Sequence, residues 1–341
     1  MKKIDSIKKN NPLILFKDQK VFQAIKKINA SKIKMLFVVD KKNKLLGSIS
    51  SGDVRRSIRK KIDLNQNVQK IMFSKPKYLL KKEKIEILNE DLICIPVVNK
   101  RKEIIDFKYS KIIRKDKKNT VFLMAGGKGT RLLPLTKKTP KPLLRIKGIP
   151  IIEKIISNFR NQGFKNFIIS VNYLGYKIKK YLGDGKKLKV SITYINEKKY
   201  LGTAGSLSLI NFTKTIFPII ITNSDLISDI DYNNLISYHN TKTADLTICA
   251  KNKIFQIPYG SILENDEKVK KIIEKPNINY LINAGVYVAS KAILKNLAKN
   301  KQLMMNEFIT QKLKNNKKVL CYPIYENWVD IGNKIDFYNH K

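Results

Sequence analysis

Three short stretches carry residue types suited to phosphate chemistry. In LMAGGKGTRLL, residues 123–133, an apolar strand runs straight into Gly126, Gly127 and Gly129, residues without Cβ that let backbone N–H groups approach a phosphate closely. In TPKPLL, Pro140 and Pro142 restrict the backbone on both sides of Lys141, which holds one ammonium in place. In FPIIITNSD, an apolar strand delivers Asp225 at its carboxyl end, the edge at which open α/β sheets keep their sites. Two common phosphate templates do not fit: the pattern GxxxxGK[ST] is absent, and GxGxxG breaks because Leu132 takes the third glycine. The glycines alone therefore leave a phosphate cradle and a structural turn both open.

The elements that must position these residues follow from the hydrophobic pattern. From Thr120 onward, strand-like runs (TVFLMA, FIISVN, VSITYI, FPIIITN, ADLTICA) alternate with helical patterns (IPIIEKIISNFRNQG, YKIKKYLG, TAGSLSLI, YNNLISYHN). This alternation predicts an α/β fold, a mostly parallel mixed sheet covered on both faces, with ligands at the carboxyl ends of its strands. A strand-rich extension (YGSILEN, VKKIIEKP, YLINAGVYVA), helices at KAILKNLAKN and NEFITQKLKNN and the strand KKVLCYPI complete it. The first third instead holds two half-similar units. VFQAIKKINASKIKMLFVVDKKNKLLGSISSGDVRR reads as helix, strand, turn, strand and helix, and a weaker echo runs from VQKIM to YSKII. Neither half buries its sheet alone, so the two are expected to pack on one another. The charged segment KIIRKDKKN, ending at Asn119, reads as a linker and sets the expected domains at 1–118 and 119–341.

The chain of 341 residues has a formal charge of +42, which raises a polyanionic partner. Residues 1–120 carry 33 basic and 12 acidic residues and residues 121–341 carry 36 and 15, so both parts contribute +21 and no basic tail stands apart. That even spread argues against nucleic acid as the partner. Lysines interrupt every apolar run before the ~18 residues that a membrane helix needs, and the five-residue apolar segment near the amino terminus is too short for a signal peptide. A cytoplasmic protein without membrane association is expected. Cys94, Cys249 and Cys321 lie far apart in apolar runs and read as three buried reduced thiols, and His239 and His340 match no catalytic pattern.

The string AGGKGTRLLPLT followed by PKPLL resembles the sugar-1-phosphate nucleotidylyltransferases, the enzymes that make NDP-sugars. The resemblance extends over about 220 residues and implies their Rossmann-like nucleotide-diphospho-sugar transferase fold. It further implies that Ala125, Gly126, Gly127, Gly129, Thr130 and Arg131 hold the triphosphate, and that Lys141 sits beside the α-phosphate. Asp225 and, in NWVDIGN, Asp330 become the Mg²⁺ ligands. On the sugar side it assigns Gly260 of YGSI, Glu274 and Lys275 of EKP, and Asn283 of NAGVYV. Arg145 stands where many relatives have proline and touches no assigned role.

The segment NEKKYLGTAGSLSL resembles the base-reading stretch of the family, including Gly202. Pyrimidine-using enzymes commonly have glutamine five residues before this glycine; here it is Glu197. A carboxylate only accepts hydrogen bonds, and guanine offers two adjacent donors where uracil and thymine offer one between acceptors, so GTP is the expected nucleotide. A solvent-facing Glu197 would reopen UTP or CTP. GSISSGDVRR, residues 47–56, resembles the end of a CBS unit, with Ser50 and Asp53 placed for the phosphate and ribose of an adenine nucleotide, helix capping by Asp53 being the alternative. DFKYSKI lacks this pattern in the second half. A CBS pair fused ahead of such a transferase is similar to the glucosamine-1-phosphate guanylyltransferases of bacterial legionaminic acid biosynthesis, which serves flagellin glycosylation. That similarity implies GTP plus glucosamine 1-phosphate giving GDP-glucosamine and pyrophosphate. Mannose- and heptose-1-phosphate guanylyltransferases are the near alternatives, and a non-catalytic nucleotide sensor or nucleic-acid binder is the alternative of another class. The oligomeric state, a homo-oligomer included, is left open.

Overall fold

The computed structural model describes residues 11–31, 33–81, 94–109 and 116–341. The chain divides into two compact units, Met1–Ile113 and Arg114–Lys341.

The first unit is built twice. Its first half contains β1 (Ile14–Phe16), α1 (Val21–Ala30), β2 (Met35–Val39), β3 (Leu45–Ser50) and α2 (Ser51–Arg59); the second contains β4 (Leu79–Leu80), β5 (Cys94–Val98) and β6 (Ile104–Tyr109). In each half the first strand pairs parallel to the second and the second antiparallel to the third. Even the bulge recurs, between Val38 and Val39 and between Val97 and Val98. Phe37, Val39 and Leu45 share one core with Cys94, Val98, Ile104 and Phe107, so the halves do bury each other's sheets. The register sets Tyr109 opposite Cys94 as Ser50 is set opposite Met35, which puts a tyrosine at the place of Ser50. Residues 82–93 of the echo and the end of DFKYSKI lie outside the described residues.

The second unit opens with β7 (Lys117–Ala125), β8 (Arg145–Ile146), β9 (Ile149–Pro150), α3 (Ile151–Asn161), β10 (Phe164–Val171), α4 (Gly175–Leu182), β11 (Ser191–Asn196) and α5 (Gly202–Gly205). It continues through β12 (Ile219–Asn223), β13 (Leu226–Ser228), α6 (Tyr232–Thr241), β14 (Leu246–Gln256), β15 (Ser261–Asn265), β16 (Lys268–Ile273) and β17 (Asn277–Ala289). It closes with α7 (Lys291–Leu294), α8 (Met305–Lys314), β18 (Val319–Ile324), β19 (Trp328–Asp330) and α9 (Lys334–His340). The central sheet has the order β11-β10-β7-β12-β17-β14-β18, and only β17 runs against the other strands. Both faces are covered, as the near-continuous apolar runs require. Val121 and Leu123 of β7 point into the core that holds Ile152, Ile156 and Phe159 of α3, while Phe122 points into the opposite core with Ile219, Ile221 and Phe308.

Four sequence expectations change. β7 begins at Lys117, inside the stretch read as linker, because Lys117 donates to the Gly163 carbonyl and so extends the sheet. KAILKNLAKN yields a single helical turn, α7, and TAGSLSLI only a short helix running into a 3-10 turn. Cys321 is exposed, since β18 is an edge strand, whereas Cys94 and Cys249 are buried. Burial pushes the Cys94 thiol up to about 12. His239 is a core residue whose Nδ1 lies 2.9 Å from Thr247 Oγ1, and burial pushes it down to about 4.

Candidate active site

The site begins where three parallel strands end side by side. Val171 of β10 pairs with Ala125 of β7, and Asn223 of β12 pairs with Met124, so the glycine loop leaves the sheet between the ends of its neighbours. Ser224 fastens the β12 exit to β7 by donating its hydroxyl to the Met124 carbonyl at 2.7 Å. Gly129 has φ +65, and a Cβ there would lie 3.0 Å from Thr136 Cγ2 and 3.2 Å from Lys141 Cβ. Only glycine therefore lets the loop fold down onto the stem of Lys141. Pro140 caps the 3-10 turn that starts at Lys141, and Lys141 itself is buried.

The Lys141 ammonium forms an ion pair with Asp225 Oδ2. The short strands β13 and β19 pair antiparallel with Leu226 opposite Asp330, and the Ile331 N–H donates to the Asp225 carbonyl at 3.1 Å. This brings the second aspartate, from the far end of the chain, beside the first. Gly332 lies between Asp330 and Arg131: a Cβ there would be 3.4 Å from each Asp330 carboxylate oxygen and 3.5 Å from Arg131 Nη1. Burial, then the neighbouring Asp225 charge, raises the Asp330 carboxyl above its ordinary range, while Lys141 and Arg131 pull it down. Asp225 Oδ1 is buried with no hydrogen-bond partner among the described residues. A buried, unpaired carboxylate oxygen beside a second carboxylate is suited to a hard divalent cation. The two carboxylates stand without a third metal-binding side chain among the described residues.

A cavity of about 570 Å³ opens over this cluster, lined by Ala125 to Arg131, Lys141, Glu197, Gly202, Asp225 and Gly332. Of the residues assigned to the nucleotide, all line it. Glu197 is buried, not solvent-facing: Ser170 donates to Oε1 at 2.9 Å and the Leu201 N–H to Oε2 at 3.0 Å. A Cβ on Gly126 would lie 2.7 Å from Glu197 Oε1, so the glycine lets the carboxylate sit against the loop. Gly202 has a further task. With φ +78, it crosses the 301–305 segment so closely that a Cβ would lie 2.5 Å from the Leu303 carbonyl oxygen.

A second cavity of about 300 Å³ is lined by Asn283, Tyr287, Met304, Asn306, Trp328 and Asp330, among others. Its wall at Met304–Asn306 is tied to α5, because Thr203 Oγ1 accepts from the Met305 N–H at 2.8 Å and Leu303 accepts from Ala204 and Gly205. Asn283 thus lines the same cavity as Asp330. Gly260, Glu274 and Lys275 do not line either cavity; they are exposed on the β15–β16 arm, where Glu274 Oε2 comes within 3.2 Å of a Cβ position on Gly260. In the first unit, Ser50 and Asp53 bind each other. Asp53 Oδ2 accepts from the Ser50 N–H at 2.8 Å and hydroxyl at 2.6 Å, and its Oδ1 pairs with Arg56.

Residues 120–341 match the nucleotidyl transferase family. The chain belongs to that family. Nucleotidyl transferases of this kind generally work with a divalent metal, which agrees with the paired aspartates. Residues 4–60 match the CBS domain. Similar proteins include the mannose-1-phosphate guanylyltransferase catalytic subunit beta of Drosophila melanogaster, 30% identical over 224 residues that cover 63% of this chain and 60% of that protein. The mannose-1-phosphate guanyltransferase of Debaryomyces hansenii is 30% identical over 226 residues, covering 63% and 61%. The chain thus spans about three fifths of the length of these relatives. Among solved structures, HddC from Yersinia pseudotuberculosis superposes with a TM-score of 0.52 at 26% identity, over 65% of this chain and 97% of that one, and has also been solved with GMP-PN. Within this nucleotidyl transferase, residues lining the cavities that sequence reasoning passed over include Ser170, Thr203, Asn223, Ser224 and Trp328. Asn223 and Ser224 stand directly before Asp225, so the strand-end signal that found the aspartate extends to them; Ser170 and Thr203 had no comparable signal.

Proposed function

We propose that this chain is a sugar-1-phosphate guanylyltransferase, joining GTP and a sugar 1-phosphate to give a GDP-sugar and pyrophosphate. The observation that carries this reading is the convergence of Lys141, Asp225, Asp330 and Arg131 between two adjoining cavities. Nucleotidyl transfer needs little covalent help from protein, and depends on aligning two anionic reactants and stabilising the charge that passes between them. The glycine loop and Arg131 hold the triphosphate in the larger cavity, and Lys141 neutralises the α-phosphate. Asp225 and Asp330 would hold a divalent cation such as Mg²⁺, which would lower the repulsion between the two anions. Each Glu197 oxygen, already fixed by Ser170 or Leu201, keeps acceptor capacity for the adjacent N1–H and N2–H₂ donors of guanine.

For the acceptor, the relatives named as mannose-1-phosphate guanylyltransferases support mannose 1-phosphate. The amino-terminal CBS match supports glucosamine 1-phosphate as the second reading, by its similarity to fused enzymes of legionaminic acid biosynthesis. An adenine nucleotide at Ser50 and Asp53 would have to displace the bonds that these residues make to each other and to Arg56. No helix of the described residues is long and apolar enough to cross a membrane. The test is pyrophosphate release with GTP, UTP, CTP and dTTP against mannose, heptose, glucosamine and glucose 1-phosphates, with Mg²⁺. GTP with mannose 1-phosphate is expected to be fastest. A preference for UTP or dTTP overturns the base assignment, and release with no pairing overturns the function.

A further inference from the structure

Two side chains line both cavities, Thr203 and Asn223. They differ in what they are bonded to. Thr203 Oγ1 accepts from the Met305 N–H and belongs to the scaffold of the smaller cavity. The Asn223 side chain makes no hydrogen bond among the described residues, although it is only half exposed and lies two residues before Asp225. Its backbone is fixed: Asn223 is the last residue of β12 and pairs with Met124 in β7, so its amide is carried by the rigid sheet and not by a loop. The opposite strand leaves room for it. Gly285 has φ +68, and a Cβ there would lie 2.7 Å from Asn223 Nδ2. Any other residue at 285 would press on the amide.

An unpaired amide donor on a strand end, where two substrate cavities meet, has the attributes of a preorganised charge stabiliser. We propose that Asn223 is a catalytic residue, donating from Nδ2 to a non-bridging phosphate oxygen at the junction of the two cavities. This rests on the nucleotidyl-transfer reading above. In that reaction an oxygen lone pair of the sugar phosphate forms the new bond to the α-phosphorus. The bond from the α-phosphorus to the bridging oxygen breaks, and its electron pair leaves with pyrophosphate. Negative charge on the α-phosphoryl oxygens is redistributed in between. A neutral donor there assists without adding a charge to the cluster of Lys141, Arg131 and the two aspartates.

The experiment compares wild type, Asn223→Ala and Asn223→Asp in pyrophosphate release at saturating GTP and sugar phosphate. Asn223→Ala is expected to lower kcat by about 10²-fold with both KM values within about 3-fold, the loss typical of one preorganised donor. Asn223→Asp, which keeps the shape but removes the donor and adds a negative charge, is expected to fall further. The melting temperature of Asn223→Ala should stay close to wild type, since the amide makes no hydrogen bond among the described residues that the variant would lose. Undiminished kcat in Asn223→Ala, or a rise confined to the KM of the sugar phosphate, overturns the proposal while leaving the transferase reading intact. A wild type that releases pyrophosphate with no pairing overturns both.

Discussion

Asp53 and Asp225 occupy comparable places in two different units. Each follows the carboxyl end of a strand, β3 in one and β12 in the other, and each has a cation within reach. Asp53 is closed: one oxygen takes both the N–H and hydroxyl of Ser50, and the other takes Arg56. Asp225 is open. One oxygen meets Lys141, and the other is buried with no hydrogen-bond partner among the described residues. A helix starts at Ser51 immediately after β3 and needs its first N–H groups satisfied, and the Ser50–Asp53 capping box does that. After β12 the chain enters another short strand, β13, which has no such need, so one oxygen of the Asp225 carboxylate keeps no partner among the described residues. The same residue type at a strand end is thus structural or chemical according to what the next element demands.

Disrupting the open side should have the largest effect. Lys141→Ala or Asp225→Ala is expected to lower turnover at least ~10²-fold, measured as steady-state pyrophosphate release, because each removes a preorganised charge at the transfer point. Glu197→Gln sharpens the comparison at a site that is both bonded and cavity-lining. Its preference for GTP over UTP is expected to fall by roughly 10-fold, as a single lost acceptor implies, about 1.4 kcal/mol of discrimination. Unchanged preference would leave Glu197 as scaffold only.

Asp330→Asn tests the electrostatics of the open cluster without substrate. The Asp330 carboxyl is raised, chiefly by burial and then by Asp225, so the folded chain holds that proton more tightly than the unfolded chain does. Its ionised form therefore costs stability. That cost is absent below the ordinary carboxylate range, about pH 4, and grows as pH rises through that range to the raised folded value. In the presence of a chelator, Asp330→Asn is expected to melt higher than wild type at pH 7, with the difference closing as pH falls below about 4. The smallest effect belongs to the closed side. Asp53→Ala should cost about 1 kcal/mol in urea unfolding of the first unit, the usual loss of a helix cap, with turnover unchanged. A fall in turnover with added adenine nucleotide that Asp53→Ala abolishes would instead make Asp53 a ligand residue.

Much of the larger cavity was legible because its signals are local. The strand before Gly126, the prolines around Lys141 and the strand before Asp225 each specify a position within a few residues, and the structure brings all three to one cavity. The smaller cavity was less so. Gly260, Glu274 and Lys275 are contiguous with recognisable strings, yet they lie on an exposed arm and line neither cavity, whereas Thr203 and Asn306 do so through a backbone crossing about a hundred residues long. Cys321 looked buried because KVLCYPI is apolar, and only the strand order shows that β18 is an edge.

The sequence by itself determined the alternation of strands and helices, the doubled first unit, the glycine loop, the proline-held Lys141 and the placement of Asp225 after a strand end, since these depend on periodicity and on the backbone limits of glycine and proline. Only the tertiary structure decided that Asp330 joins Asp225 through the β13–β19 pairing, that Glu197 is clasped by Ser170 and Leu201, that Asp53 is consumed by its own helix, and that Asn223 stands unpaired where two cavities meet. Each of those facts turns on which distant partner satisfies a polar group. Such pairings are fixed by sheet register and chain crossing, which no local pattern encodes.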